Sequence, residues 1–294
     1  MRWARWGYSL VEVMVVLAIL ALLMAILLPA VQRVREAANR LRCSNNLRQI
    51  GIALHSYHAD HSSFPPGTTS LRPGEPYPFM SWMTRILPYV DQGDAYRLAE
   101  SEYAQQRLPF RPQHTLLSRP MAVYSCPSDE RVRHPHVTHQ GHVVALTSYL
   151  GVLGTAYNQP DGVLYRDSQT RIEDISDGSS QTLLVGERPP SPDFWFGWWY
   201  AGFGQGGTGS LDQLLGAAER NAGWRYVEHC PPGPYRFQPG DIREMCDVFH
   251  FWSLHAGGAH FLFGDGAVRF LSYQAAPILP ALATRAGGEV VPWP

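Results

Sequence analysis

Gly7-Tyr8-Ser9-Leu10-Val11-Glu12, followed by the unbroken apolar run from Val13 through Pro29 to Val31, is the stretch whose reading decides the fold. The run holds 19 residues and rises about 28 Å as a helix, which matches the roughly 30 Å hydrocarbon core of a bilayer. A secretory signal would carry a shorter apolar region with its small-residue cleavage site behind it. Here the small residue, Gly7, stands in front. A cut after it would remove only Met1 to Gly7, with Arg2 and Arg5, and would leave the apolar helix on the product. Glu12 is the anomaly. An acid at the centre of a membrane helix costs about 2.5–3.5 kcal/mol, so one at the mouth of such a run calls for a partner or a purpose. The plainer alternative is a carboxylate that snorkels to the headgroups at the end of a simple anchor.

Working outward, the helical pattern persists beyond Pro29. Val31, Val34, Ala38, Leu41, Leu47, Ile50 and Leu54 recur at steps of three and four with one step of six, and Arg33, Arg40, Arg48 and Gln49 lie between them. This predicts an amphipathic continuation over 32–58, with Pro29 bending or loosening the helix where its lipid-like and protein-like halves meet. A helix this long must lie on the rest of the chain. That remainder is large enough for one domain or two small ones.

The Gly7 to Glu12 motif with its apolar tail resembles the N-terminal cleavage and methylation motif of type IV prepilins and type II secretion pseudopilins. In that family a membrane aspartyl peptidase cuts after the Gly and the new N-terminus is methylated. The resemblance implies Tyr8 as the methylated first mature residue, in place of the more usual Phe. It also puts Glu12 fifth and Pro29 twenty-second, both at family positions. The organisation it implies is a leader over 1–7, a long helix over 8–62 (membrane-spanning about 13–31, amphipathic about 32–58) and a globular head over 63–294. Glu12 of one subunit would pair with the terminal ammonium of a neighbour. The partners implied are a prepilin peptidase/methyltransferase and other pilin-like subunits, in a homo- or hetero-filament. The positive-inside rule points the other way, because Arg33, Arg35, Arg40 and Arg42 follow the run closely. The family resemblance and the even number of cysteines override it. The expectation is a single-pass protein of the inner (cytoplasmic) membrane, its head extracytoplasmic, able to reach a cell-surface filament.

The formal net charge of -1 offers no nucleic-acid footprint. All 24 basic side chains are Arg, and the 27 Gly and 24 Pro imply a loop-rich head. Strands are expected at 143–149, 162–165, 182–186, 194–200, 260–263 and 267–271, and short helices at 82–87, 91–100 and 211–218. The Pro- and Gly-rich segment 64–77 reads as an irregular crossover. The fold class expected is therefore α+β and pilin-like: a long N-terminal helix packed on a mostly antiparallel sheet with many loops.

A second resemblance covers the head. Cys43-Ser44-Asn45-Asn46-Leu47-Arg48-Gln49-Ile50-Gly51, Cys126-Pro127-Ser128-Asp129, the segment Asp177 to Arg188, and Phe251-Trp252-Ser253-Leu254-His255-Ala256-Gly257-Gly258 resemble the domain of unknown function 1559 (DUF1559), abundant in planctomycete bacteria. Its mark, a His, nine residues, then Asp-Gly, is met by His255, Asp265 and Gly266. The family name implies organisation and no activity.

Gly264-Asp265-Gly266 between two apolar runs is a hairpin signal. His255 could brace that hairpin or share a ligand site with Asp265, although one His and one Asp are fewer donors than a metal site needs. His134, His136, His139 and His142 are dense enough for a metal, but their irregular spacing and Pro135 suggest a surface loop. Gly202 to Gly207 matches a dinucleotide motif by letters only. The aromatic run Phe194 to Tyr200 could stack on sugars, and core burial is the preferred reading. Glu187, Arg188, Asp193 and Glu219 form no recognisable acid-base pair. No catalytic constellation emerges, and neither an enzyme nor a cofactor is expected; a metal ion has no support. The four cysteines allow three pairings. Cys230 with Cys246 is the best local bridge, which leaves Cys43 with Cys126 to tie the helix to the head.

Two function classes stay open: a structural subunit of a pilus or pseudopilus, and a membrane-tethered extracytoplasmic module that binds a solute or glycan. The first is favoured, because Glu12 has no use in a plain tether.

Overall fold

The computed structural model describes residues 9–289; Met1 to Gly7 and Tyr8, on which the cleavage and methylation expectations fall, lie outside the described residues. Helix α1 (Leu10–His61) runs 52 residues without interruption through Pro29 and so extends about 78 Å. It starts at a capping box: Ser9 Oγ accepts from the Glu12 N–H at 3.2 Å while the Ser9 N–H donates to Glu12 Oε2 at 2.7 Å. It stops at Ser62, whose φ of 60° turns the chain out of the helix.

From Ser9 to Arg35 every side chain is exposed. Beyond that point the apolar stripe expected on one side of the helix proves to be two stripes on opposite sides. Leu47, Ile50 and Leu54 are fully buried, but Val31, Val34 and Leu41 are 61%, 69% and 67% exposed. The reason is the six-residue step from Leu41 to Leu47, which at about 100° per residue turns the pattern by about 240° and moves it to the far face. The stripe that meets the head is Glu36, Arg40, Cys43, Leu47, Ile50 and Leu54, spaced four, three, four, three and four. Charge and sulfur at its lower end hide it from a search for apolar residues.

The head is built on a five-stranded sheet of order β5-β3-β4-β6-β7, in which β3 (Tyr149–Gly154), β4 (Leu183–Glu187), β6 (Gly258–Phe263) and β7 (Val268–Ser272) pair antiparallel in turn and β5 (Leu214–Gly216) lies parallel to β3. A separate two-stranded ribbon joins β1 (His136–Val137) to β2 (Val143–Val144). Short helices α2 (Trp82–Arg85), α3 (Gly93–Gln105) and α4 (Leu279–Ala283) and many turns fill the rest. Side chains on β6 alternate between two cores. Ala259, Phe261 and Phe263 join the core that includes α4, whereas Leu262 joins the one beneath α1.

Four local expectations are corrected. The strand expected at 143–149 is divided: Val143 and Val144 belong to the ribbon and Tyr149 opens β3, with Thr147 Oγ1 accepting from the Tyr149 N–H at 3.0 Å in the break between them. Residues 211–218 form β5 and its flanking turns because Leu211 takes a φ of 76°, which a right-handed helix forbids. The aromatic run 194–200 is no strand: Phe194 (φ 61°) and Gly197 (φ 101°) bend it back on itself, so its rings pack in several directions. Residues 162–165 contribute buried Val163 and Leu164 to the core without joining the sheet.

The helix can lie this close to β6 because Gly51 has no side chain. A Cβ there would come within 2.7 Å of Leu262 Cδ1. Gly51→Val is therefore expected to overpack this contact, at a cost of about 1–3 kcal/mol. Thermal melts of the detergent-solubilised chain should show the loss as a Tm lower by several degrees, and an unchanged Tm would contradict the close packing.

Candidate functional site

At the membrane end, Glu12 is not unpartnered within one protomer, since its carboxylate closes the capping box with Ser9. The donor there is a neutral backbone N–H, so the carboxylate is hydrogen-bonded without being neutralised. Glu12 can thus finish the helix in a single chain and still attract a cation from elsewhere.

Where α1 meets the head, the sequence places charge on the seam. Glu36 Oε1 accepts from His255 Nδ1 at 2.7 Å and Glu36 Oε2 accepts from Ser128 Oγ at 3.2 Å. The other ring nitrogen of His255, Nε2, faces Glu187 Oε1 at 3.5 Å and Cys126 Sγ at 3.6 Å. Glu187 ends β4, and its second oxygen, Oε2, accepts both the backbone N–H of His260 at 2.6 Å and its Nδ1 at 3.1 Å. His255 and Glu187 are almost fully enclosed, with side chains 0% and 2% exposed. A disulfide joins Cys43 on α1 to Cys126 beside them, with a Cα–Cα distance of 5.4 Å. Burial opposes the charge on His255, but Glu187 and Glu36 outweigh it and raise its pKa. Burial likewise opposes the charge on Glu187, yet His255 and His260 hold it down at about 2. Both shifts describe one ionised pair. Sequence reading missed Glu36, Glu187 and His260 as partners of His255. Only the step of four and three from Glu36 to Arg40 to Cys43 signalled that the acid shares a face with the cysteine.

The His, nine residues, Asp-Gly spacing acquires a geometric meaning. Strand β6 takes six of those positions, a length of about 20 Å, so His255 precedes it and Asp265 follows it. The two residues serve different networks. Asp265 Oδ1 accepts from the Ala267 N–H at 2.9 Å, Gly266 adopts a φ of 81°, and its N–H donates to Phe263 O at 2.9 Å: these contacts form the turn between β6 and β7.

The aromatic run borders a cleft of about 430 Å³ whose lining includes Trp195, Trp198, Phe203, Trp224, Tyr226 and Asp212. The nearby histidines do not converge. His136 stacks on Phe194, His139 lies against Trp195, and His142 meets Trp198 edge-on. At the floor, Asp212 Oδ2 accepts from the Gly204 N–H at 2.8 Å. Burial raises the Asp212 carboxyl to about 7, against the pull of that N–H and of Arg188. Gly204, Gly206 and Gly207 all take positive φ in a loop, which has no phosphate-binding strand-to-helix context. Glu219 is saturated by Ser210 Oγ and by the N–H groups of Tyr157, Gly216 and Arg220. Asp193 Oδ1 accepts from Ser191 Oγ and the Trp195 N–H within its own turn. A second disulfide joins Cys230 to Cys246, 16 positions apart.

Two family models match the chain. One, described as a protein of unknown function (DUF1559), matches residues 32–277, and the other, the prokaryotic N-terminal methylation motif, matches residues 7–28. The chain is also similar to the competence protein ComGC of Halalkalibacterium halodurans, 30% identical over 66 residues, which is 22% of this chain and 65% of that relative. No solved structure matches significantly.

The ion pair on the seam gives a signed pH dependence. The raised pKa of His255 makes its contribution complete below the unfolded histidine value of about 6.5 and lost as pH climbs through the folded value; the depressed pKa of Glu187 makes its contribution complete above about 4.3 and lost as pH falls through the folded value. Breaking a buried pair costs roughly 3–5 kcal/mol. The Tm difference between wild type and His255→Gln should thus be largest between about pH 4.3 and 6.5 and shrink as pH rises through the raised folded value of His255. A difference that stays constant from pH 5 to 9 would mean that the seam holds no ion pair.

Proposed function

The chain belongs to the DUF1559 family and opens with a prepilin-type methylation motif, and from that premise we propose that it is a pilin-like structural subunit that assembles through α1 into a pilus or a type II secretion-like pseudopilus. The observation that carries this reading is the free face of α1. The membrane-length apolar stretch is wholly unburied, and it runs into Val31, Val34, Ala38, Leu41 and Ile52, all exposed on the side turned away from the head. Lipid can cover the first part; only protein of the same kind, lying side by side, covers both parts at once. Contacts between a subunit and its displaced neighbour are heterologous and do not close, which is what a filament needs.

In this reading a prepilin peptidase cuts after Gly7 and the amino group of Tyr8 is methylated. The Tyr8 ammonium of one subunit neutralises the Glu12 carboxylate of its neighbour, taking the place of the neutral Ser9 donor. Pro29 removes one backbone hydrogen bond and lets the helix flex where lipid gives way to protein. The membrane is the inner one and the head is extracytoplasmic. Both disulfides support that side, because cytosolic thiols are kept reduced. The arginines after the span oppose it by the positive-inside rule, and processing from the N-terminal motif takes precedence.

The aromatic cleft favours a second role on the same subunit. Aromatic walls above a buried acid suit a sugar ring, with apolar faces to stack and hydroxyls to donate. Oligosaccharide titrations followed by tryptophan fluorescence should give saturable quenching that Trp224→Ala weakens at least tenfold; no quenching by any oligosaccharide tested would remove this role.

Assembly is tested by in-cell crosslinking. Glu12→Val should retain leader removal and lose multimers, and Val34→Arg, on the free stripe, should lose multimers with the head's Tm unchanged. Gly7→Leu should block processing and leave the precursor. Unchanged multimer ladders in the first two variants would overturn the proposal.

A further inference from the structure

Under the seam, four donors of three chemical kinds converge. The sulfurs of Cys43 and Cys126, the His255 ring and a carboxylate oxygen of Glu187 all lie within 4.8 Å of one another, and all four residues are buried. They come from four separate segments: α1, the loop after residue 125, the end of β4 and the loop before β6. We propose that, when the Cys43–Cys126 bond is reduced, this cluster is a four-coordinate site for a zinc-type divalent cation, so that the seam exists in a disulfide form and a metal form.

Three observations support the site. First, two of the edges already fit. Zinc bonds of about 2.0–2.3 Å to N, O and S put neighbouring donors of a tetrahedron about 3.3–3.8 Å apart, and His255 Nε2 already stands 3.5 Å from Glu187 Oε1 and 3.6 Å from Cys126 Sγ. Second, Glu187 Oε1 is buried with no hydrogen-bond partner, although the other oxygen of the same carboxylate has two. In the disulfide form its charge is met by the His255 ring, 3.5 Å away; in the metal form the cation takes over as the positive partner that a buried carboxylate requires. Third, the outer shell is in place. His255 donates from Nδ1 to Glu36 Oε1 at 2.7 Å, which leaves Nε2 as the ligand atom in the carboxylate–histidine–metal arrangement. Glu187 is oriented in the same way by His260.

The chemistry balances through a dithiol. A reduced dithiol delivers two electrons and two protons, the Cys43–Cys126 bond breaks, and the reductant leaves as its own disulfide. Binding of the cation then displaces both thiol protons, giving two thiolate ligands. In reverse, an oxidised dithiol takes the electron pair from the thiolates, the sulfur–sulfur bond re-forms and the ion is released. Because Cys43 rides on α1, either form ties the helix to the head.

Cobalt(II) is the probe. The full chain in detergent, reduced with a non-chelating phosphine, should bind one Co2+ tightly, with the visible bands of four-coordinate cobalt and a sulfur-to-cobalt charge-transfer band; Zn2+ should displace it. The unreduced chain should show neither band. Glu36→Gln should keep the spectrum and weaken binding by roughly 10- to 100-fold, and Glu187→Gln should lose the four-coordinate spectrum with the fold intact by circular dichroism. The group His229, Cys230 and Cys246, in which His229 is exposed and Cys230 buried, is a three-donor competitor, so Cys230→Ser should leave the tight site unchanged. Loss of the tight site in Cys230→Ser but not in Glu187→Gln would overturn the proposal. Equal binding by the unreduced chain, or no cobalt bands in the reduced chain, would do the same.

Discussion

One helix has to satisfy two environments at once, and the face-switch between Leu41 and Leu47 is how it does so. Below the switch, α1 turns its apolar residues away from its own head. Above it, Leu47, Ile50 and Leu54 are fully buried against the sheet. Had the stripe continued on one face, either the head would have lost its packing partner or the outer face of the helix would carry no apolar stripe. The lower half stays attached to the head through polar contacts instead: Glu36 to His255 and Ser128, Arg40 with its guanidinium 3.5 Å from the Phe270 ring centroid, and Cys43 to Cys126. Charge and sulfur thus hold the one stretch of helix whose apolar side chains are committed elsewhere.

That division gives the buried ions their place in the fold. An ion pair inside a core is poor value compared with apolar packing, so the enclosure of His255 and Glu187 needs a reason beyond stability. Glu36 must reach into the head from a helix that enters from the membrane side, and only a group able to meet its charge can receive it. His255 passes that charge on to Glu187, and His260 anchors the far end from β6. Strand, helix and both adjoining loops are fixed relative to one another through hydrogen bonds at either end and one buried ion pair between them.

Much of this was legible beforehand. The membrane-length helix, the α+β head, strands β4, β6 and β7 and the turn at Asp265-Gly266 each follow from local patterns: an apolar run, alternation, and turn residues. The aromatic run from Phe194 is largely core, as expected, but neither it as a strand nor the segment after Leu211 as a helix is met, because a positive φ at Phe194, Gly197 and Leu211 is set by the surrounding packing and leaves no periodic trace. His255 is expected to brace the hairpin or to share a site with Asp265, whereas its actual partners stand 219 positions away at Glu36 and, at Glu187, on another strand. Nothing local to either residue announces such a pairing.

What the sequence determined by itself depends on residues close along the chain: the length of the apolar helix, the acid at its mouth and the hairpin at Asp265-Gly266. What only the tertiary structure decided is which face of α1 meets the head and which buried donors converge beneath it. The physical reason is that helical and strand periodicities express a residue's own neighbourhood, whereas the meeting of Cys43, Cys126, Glu187 and His255 depends on how four segments are closed together in space, and closure is a property of the whole chain.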